Sequence, residues 1–468
     1  MRPCLQTIAL ALIACIGWGL DPARAIAQAA DAKWKVGVAS TVITPDEYIW
    51  MGGYAGRKTP ARAKVHDLWA KALVMTDAEG KQSVLVTLDL IGIDRELAGR
   101  LVKSIQEVVD LPRERIALSV SHTHSGPALA RTLPVVNDAV LNEEERRKVE
   151  RYTSELPEKI KEVVAEAVSS QQAVSLSYGC GHATFAVNRR ENPERGVPAA
   201  REAGRLKGPV DYDVPVLAAR GPDGELLAVV FGYACHATTT NGTQWCGDYP
   251  GFAHQLLDER HAGAMSFFCA GCGGDQNPLP RRGDRIGKQY GTTLADAVDE
   301  VLAGVMTPVG DRLHCSYEEI PLGLAQLPTQ EELLADSHSP NKYVAARARL
   351  LVRQLEHADT LSATYPYPVQ VWKFGHELSW VFLGGEVVVD YSLRIKREVD
   401  SQHVWVTAYA NDVMAYIPSR RVLLEGGYEG ETSMVNYGLP TIWSSEVEES
   451  IVEEVIRQTN NQNQDEND

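Results

Sequence analysis

Positive charge is scarce in this 468-residue chain: 46 lysines and arginines face 62 aspartates and glutamates, for a formal charge of −16. No run of basic residues breaks that balance, which excludes the electrostatic footprint of a nucleic-acid-binding surface. Long apolar runs are also missing. The N-terminal one, Ile8 to Leu20, follows a single Arg2 and is too short for a comfortable membrane span. Small-residue cleavage patterns follow it at Ala23-Arg24-Ala25 and Ala25-Ile26-Ala27. Residues 1–29 therefore read as an export signal, and the mature chain as secreted or periplasmic with no transmembrane span. Leu12-Ile13-Ala14-Cys15 is similar to a lipoprotein cleavage box, so lipid anchoring at Cys15 is the alternative, although the apolar run continues past it.

Paired cysteines at metal-site spacing are absent as well. Cys4 and Cys15 leave with the signal, and Cys180, Cys235, Cys246, Cys269, Cys272 and Cys315 remain. Cys269-x-x-Cys272 has no second pair, which argues against a structural zinc, and an even count in an exported chain permits disulfides without requiring them. Two common hydrolase signatures are lacking. His376-Glu377-Leu378-Ser379-Trp380 has no second histidine for a zinc helix, and no serine sits in a Gly-x-Ser-x-Gly elbow.

What remains is an ordinary globular composition, 44% hydrophobic and 23% charged, long enough to bury a large core. Strand-like runs at Trp34 to Ser40, Leu68 to Thr76, Ser83 to Leu90, Ile116 to Val120, Val174 to Tyr178, Val214 to Arg220, Leu226 to Tyr233 and Ala264 to Cys269 mix with helical stripes. The clearest stripes are Leu97, Leu101, Val102 and Ile105, then Val149 to Ala167, then Ile286 to Val301. Gln330 to His357 reads as helix, broken near Ser339-Pro340, and Val369 to Phe374, Leu378 to Leu383 and His403 to Tyr409 as late strands. Without a strict strand–helix rhythm, the expected fold is mixed α/β (α+β): mixed β-sheets flanked by helices in one large domain over residues 30–457. Residues 458–468, rich in Asn, Gln, Asp and Glu, are expected to form a disordered tail.

Chemistry concentrates at strand ends. Ser121-His122-Thr123-His124-Ser125-Gly126-Pro127 follows the apolar run Ile116 to Val120 and is stopped by Gly126-Pro127. In an extended chain residues two apart point the same way, so His122 and His124 are expected to share one site, as metal ligands or as a ligand beside a proton carrier. An exposed polar loop is the plainer alternative. Val229 to His236 repeats the pattern: an apolar strand ending in a histidine. Glu386, behind Leu383-Gly384-Gly385, is a further ligand candidate, or equally an acid at a helix N-terminus.

Together these residues resemble the catalytic domain of the neutral (non-lysosomal) ceramidases, zinc amidases that split the N-acyl bond of ceramide. The matching pieces are Met51 to Gly56, Ser121 to Pro127, Val187-Asn188-Arg189, His236, Gly247 to Ala253, Gly274-Asp275, Gly385-Glu386, Tyr416 and Tyr428-Glu429-Gly430, in the family's order. The resemblance implies a Zn²⁺ held by His122, His236, Glu386 and Tyr416, a zinc-activated water as attacking group, and His124 as proton shuttle. It further implies Arg189 and Tyr428 at the oxyanion or the substrate's polar head, with Asp275 and Asn277 beside them.

Two departures qualify it. Gly274-Asp275-Gln276-Asn277-Pro278 places Asn277 where the family carries serine, and an amide cannot act as a nucleophile. The chain also ends about 50 residues after Tyr416, short of the about 100 residues of the immunoglobulin-like domain that usually follows. The expected function is an exported zinc-dependent amidohydrolase acting on a ceramide-like or other small N-acylated substrate. The alternatives are the same site acting on an ester, a lactam or a sugar-derived bond, and a catalytically silent, metal-containing binding protein.

Overall fold

Trp34 and Val36 of the first strand, Trp34–Val42 (β1), are buried in one apolar cluster and Ala39, on the opposite face, in another, so alternation turns each side of the strand to its own part of the core, with Lys35 exposed at the strand's start. The computed structural model describes residues 33–358 and 360–464; the export signal read over residues 1–29 lies outside them. β1 belongs to a nine-stranded mixed sheet with Trp69–Thr76 (β2), Gln82–Leu88 (β3), Ile116–Val120 (β4), Gln172–His182 (β5), Asp213–Arg220 (β6), Leu226–Tyr233 (β7) and Met265–Ala270 (β8). Its order is β8-β7-β6-β5-β1-β2-β3-β4, with the short strand Thr307–Pro308 beside β5. A second sheet is built from Leu313–Gly323 (β9), Thr364–Phe374 (β10), Leu378–Leu383 (β11) and His403–Thr407 (β12), in that order.

The two sheets share one core. Trp34, Leu73, Leu176 and Val230 of the large sheet cluster with Trp372, Trp380, Phe382 and Trp405 of the small one, and the Trp380 and Trp405 rings stack 4.1 Å apart. Glu143–Ser169 (α1) packs on β1 and β2, and Asp284–Ala303 (α2) on β5 and β6. α1 starts where the Asn142 side chain and Glu145 form a reciprocal cap. It buries the stripe from Val149 to Ala167 that its spacing predicted. Val389–Glu398 (α3) and Val447–Gln464 (α4) lie against the small sheet. The layers therefore run helix, sheet, sheet, helix, a mixed α/β fold as the sequence implied.

Several local expectations change. The helical stretch after Gln330 does break, into Gln330–Asp336 and Lys342–Leu355. Residues 458–464 of the expected tail are helical: α4 continues to Gln464, with Gln458 and Thr459 buried and Gln458 donating to Val369 O at 3.1 Å, and residues 465–468 lie outside the described residues. Packing against β10 orders a polar sequence that has no apolar stripe of its own. The six cysteines among the described residues are all free, and no helix among those residues is long and apolar enough to cross a membrane.

Within the two larger sheets three strand pairs are parallel: β3 with β4, β7 with β8, and β11 with β12. Parallel pairing puts the C-terminal ends of both partners side by side, where open α/β sheets place their ligands. The segments leaving these ends build the site.

Candidate metal centre

His122 leaves β4, and its Nδ1 lies 2.5 Å from the carbonyl of Ile91, in the segment leaving the neighbouring β3. His236 leaves β7, and its Nδ1 lies 2.6 Å from the carbonyl of Gly273, in the segment leaving the neighbouring β8. A carbonyl only accepts, so each ring donates its Nδ1–H and is left with a lone pair on Nε2. Both lone pairs face the same oxygen. Glu386 Oε2, just past β11, is 3.1 Å from His122 Nε2 and 3.0 Å from His236 Nε2. The Tyr416 hydroxyl is 3.2 Å from His236 Nε2, and short pairing of Glu386–Val387 with Tyr416–Ile417 holds the two oxygen donors together.

Two imidazole lone pairs and a carboxylate oxygen aimed at one another repel unless a cation lies among them. The donor set, nitrogen with anionic and phenolic oxygen, suits a borderline divalent ion. Protonation states agree. Burial lowers His236 to about 4, and the charge of Arg189 adds to it. Burial would raise Glu386, but His122 and His236 outweigh it and hold the carboxyl well below its usual range. A neutral His236 beside an ionised Glu386 is what a metal requires.

His122 and His124 do share the site, but not by strand alternation. His122 sits in the left-handed region at φ 55°, as does Tyr409 at φ 53°, whose ring stacks on it 4.3 Å away. Such conformations cost on the order of 1–3 kcal/mol outside glycine and persist where neighbours enforce them. His124 Nε2 is 3.1 Å from His122 Nε2, and the nitrogens of His122, His124 and His236 form one group able to hold a metal. His124 differs in one respect: its Nδ1 is buried without a hydrogen-bond partner. Burial, then His122 and His236, push it well below the usual histidine value.

Arg189 is no surface cation. Its Nε donates to Glu429 at 2.7 Å, Nη2 to the Tyr416 hydroxyl at 3.1 Å and Nη1 to Asn277 Oδ1 at 3.3 Å. Antiparallel pairing of Ala186–Asn188 with Gln276–Pro278 places Asn277 beside it. Tyr428, 45% exposed, lies edge-on to Tyr416 with ring centres 5.2 Å apart. Asp275 does not join them. Its carboxylate accepts from the Val389 amide at 2.9 Å and the Asn188 side chain at 2.9 Å, bracing the loop under the site. Burial raises it to about 6. Glu429 also takes Arg190 at 2.7 Å, so Glu429→Gln should cost about 1.5–3 kcal/mol in a denaturant titration, the worth of hydrogen bonds to charged groups. Unchanged stability would show that this carboxylate does not hold the arginines.

Above the histidines opens a cavity of about 510 Å³ that includes His124, Glu386, Tyr416 and Tyr428 in its wall. A second, of about 520 Å³, lies on the other side of Tyr428 against Arg189 and Asn277.

A family profile described as neutral/alkaline non-lysosomal ceramidase, N-terminal, matches residues 34–298. The chain belongs to this ceramidase family. The matched span holds His122, His124, Arg189, His236, Asp275 and Asn277; Glu386, Tyr416 and Tyr428 lie beyond it. The crystal structure of neutral ceramidase from Pseudomonas aeruginosa aligns over 92% of this chain and 74% of its own, with TM-score 0.70 and 19% identity. A ceramidase complexed with C2 aligns over 92% and 75%, with TM-score 0.71 and 17% identity. At such identity the likeness speaks to the fold. No curated protein sequence matched.

Three contributors to this ceramidase-family site carry no sequence signal of their own. The Tyr437 hydroxyl donates to Glu386 Oε1, Tyr409 stacks on His122, and Arg57 donates to the His124 carbonyl at 2.7 Å. Only Arg57 lies next to a quoted motif, Met51 to Gly56.

Proposed function

We propose that this ceramidase-family hydrolase is an exported, zinc-dependent amidase that cleaves the N-acyl bond of a ceramide-like or other small N-acylated molecule. The observation that carries the reading is the convergence of two carbonyl-anchored imidazoles, a carboxylate oxygen and a phenol at the floor of an open cavity. His122, His236, Glu386 and Tyr416 would hold the zinc. When bound, the ion supplies Lewis acidity and lowers the pKa of a coordinated water to about 7.

The chain's own residues supply the rest. His124, neutral and with one ring nitrogen unengaged, accepts a proton at the reacting centre and passes it to the departing amine nitrogen. Arg189 orients the Tyr416 hydroxyl and fixes Asn277 through Oδ1. That leaves the Asn277 amide group and the Tyr428 hydroxyl as donors to the substrate's carbonyl or polar head. Tyr437 orients Glu386 from behind.

Asn277 cannot form an acyl-enzyme, so the reading requires water as nucleophile. Asn277→Ala should lower kcat/KM by an amount worth about 1–3 kcal/mol, the cost of one unmade buried hydrogen bond, without abolishing turnover. Hydrolysis in ¹⁸O-labelled water should put label directly into the released acid. A burst of product with an acyl adduct on the protein would overturn this route. The reading as a whole is tested by a panel of N-acyl and O-acyl substrates with and without zinc. Zinc-dependent cleavage of amides supports it, cleavage of esters alone moves the site to the other bond, and no turnover at all leaves a metal-containing binding protein.

A further inference from the structure

The cavity over the histidines is poor in the surface a long hydrocarbon needs. Its aliphatic wall is Ile91, Leu133 and Val136, and the rest is glycine and alanine backbone with aromatic, amide, hydroxyl and charged side chains. The apolar recess behind those three, toward Trp50 and Leu129, holds only about 10 Å³, room for about one water.

The mouth carries positive charge that its neighbours do not neutralise. Arg281 takes Glu194 with both Nε and Nη2 at 3.1 Å, leaving Arg282 a loose contact of 3.6 Å to the same carboxylate. Lys58, on the same cavity wall as Arg282, makes no ion pair among the described residues. Arg57 turns its Nη1 and Nη2 groups to the carbonyls of Gly52, His124 and Gly242 and leaves Nε buried without a partner, while its charge adds to the field. The backbone at Arg282 adopts φ 102°, unusual for a residue with a side chain, and is tied down because its amide and that of Gly283 both donate to Thr239 O at 3.0 Å. Strain retained at a cavity mouth marks a position held for its side chain. On a chain of formal charge −16, a local cationic rim concentrates anions that the rest of the surface repels.

We infer that the substrate is a compact N-acylated anion, with a short acyl group and a carboxylate or similar group held at the mouth by Arg282 and Lys58. This rests on the amidase reading above, and names its substrate class. Neither residue belongs to the catalytic machinery, and both are exposed, so their replacement by glutamine leaves the fold intact.

The test is calorimetric titration of the zinc-loaded protein with N-acetylglutamate and with the neutral N-acetylglutamine amide. The anion should bind at least about ten-fold tighter, the usual worth of a charge-assisted contact. The Arg282→Gln, Lys58→Gln double variant should lose that preference while keeping its affinity for the neutral compound. Equal binding of the two by the parent overturns the inference. So does a preference that survives in the double variant, which would assign the carboxylate to the metal. A second arm lengthens the acyl chain from acetyl to hexadecanoyl on glycine. A continuing gain of about four-fold in affinity per methylene, as for a buried chain, overturns the short-acyl part; a plateau after the first few carbons supports it. Cleavage followed in parallel separates the two readings. Charge-selective binding without turnover of any amide upholds the inference and removes the amidase. Cleavage of neutral long-chain amides unaffected by the double variant does the reverse.

Discussion

His236→Ala should empty the metal centre. The substitution removes one of two carbonyl-anchored nitrogens and leaves Glu386 Oε2 facing His122 alone. Elemental analysis of the dialysed variant should find a small fraction of the parent's zinc. Because zinc would bind the folded chain and not the unfolded one, the parent should gain about 4 kcal/mol of stability at a thousand-fold excess of zinc over Kd. The variant should lack that gain. It should also be intrinsically weaker by about 0.5–1.5 kcal/mol, the worth of one hydrogen bond, since Gly273 O loses the imidazole donor and keeps only the Gln276 amide at 3.0 Å. A variant that retains the parent's zinc and its zinc-dependent shift would remove His236 from the ligand set. The same measurement on His122→Ala, which orphans Ile91 O instead, should agree.

His124→Ala should behave differently: zinc retained, turnover lowered by about 10² to 10⁴, the range of a positioned acid–base group. The distinction rests on how the rings are held. His122 and His236 each have Nδ1 locked to a backbone carbonyl, which fixes the tautomer a ligand needs, whereas His124 Nδ1 has no partner and is free to carry a proton. Distance alone does not separate them, because all three rings belong to one group able to hold a metal. Loss of zinc in His124→Ala would therefore place it among the ligands, and the proton would have to move through another group. Retained zinc with unchanged kcat would leave His124 a packing residue against Tyr54, whose ring lies 4.8 Å away.

Some of this was written in the chain itself. Apolar runs ending in His122, His236 and Glu386 marked three strand ends, and local patterning sufficed because burial of one strand depends on its own alternation and on where it stops. The helical stripe from Val149 to Ala167 was equally plain. How these ends meet was not, since convergence requires parallel pairing of β3 with β4, β7 with β8 and β11 with β12, and pairing between segments far apart leaves no mark on either alone. The tertiary structure also decided the tautomers, through carbonyls of Ile91 and Gly273 contributed by neighbouring strands. It turned His122 into the site through a left-handed backbone, not the extended one its position suggested. It withdrew Asp275 into a brace and brought in Tyr437 and Tyr409, which no spacing announced. A sequence records what each segment buries; which lone pairs then point at one another is set only when distant backbones supply the donors, acceptors and φ angles that aim them.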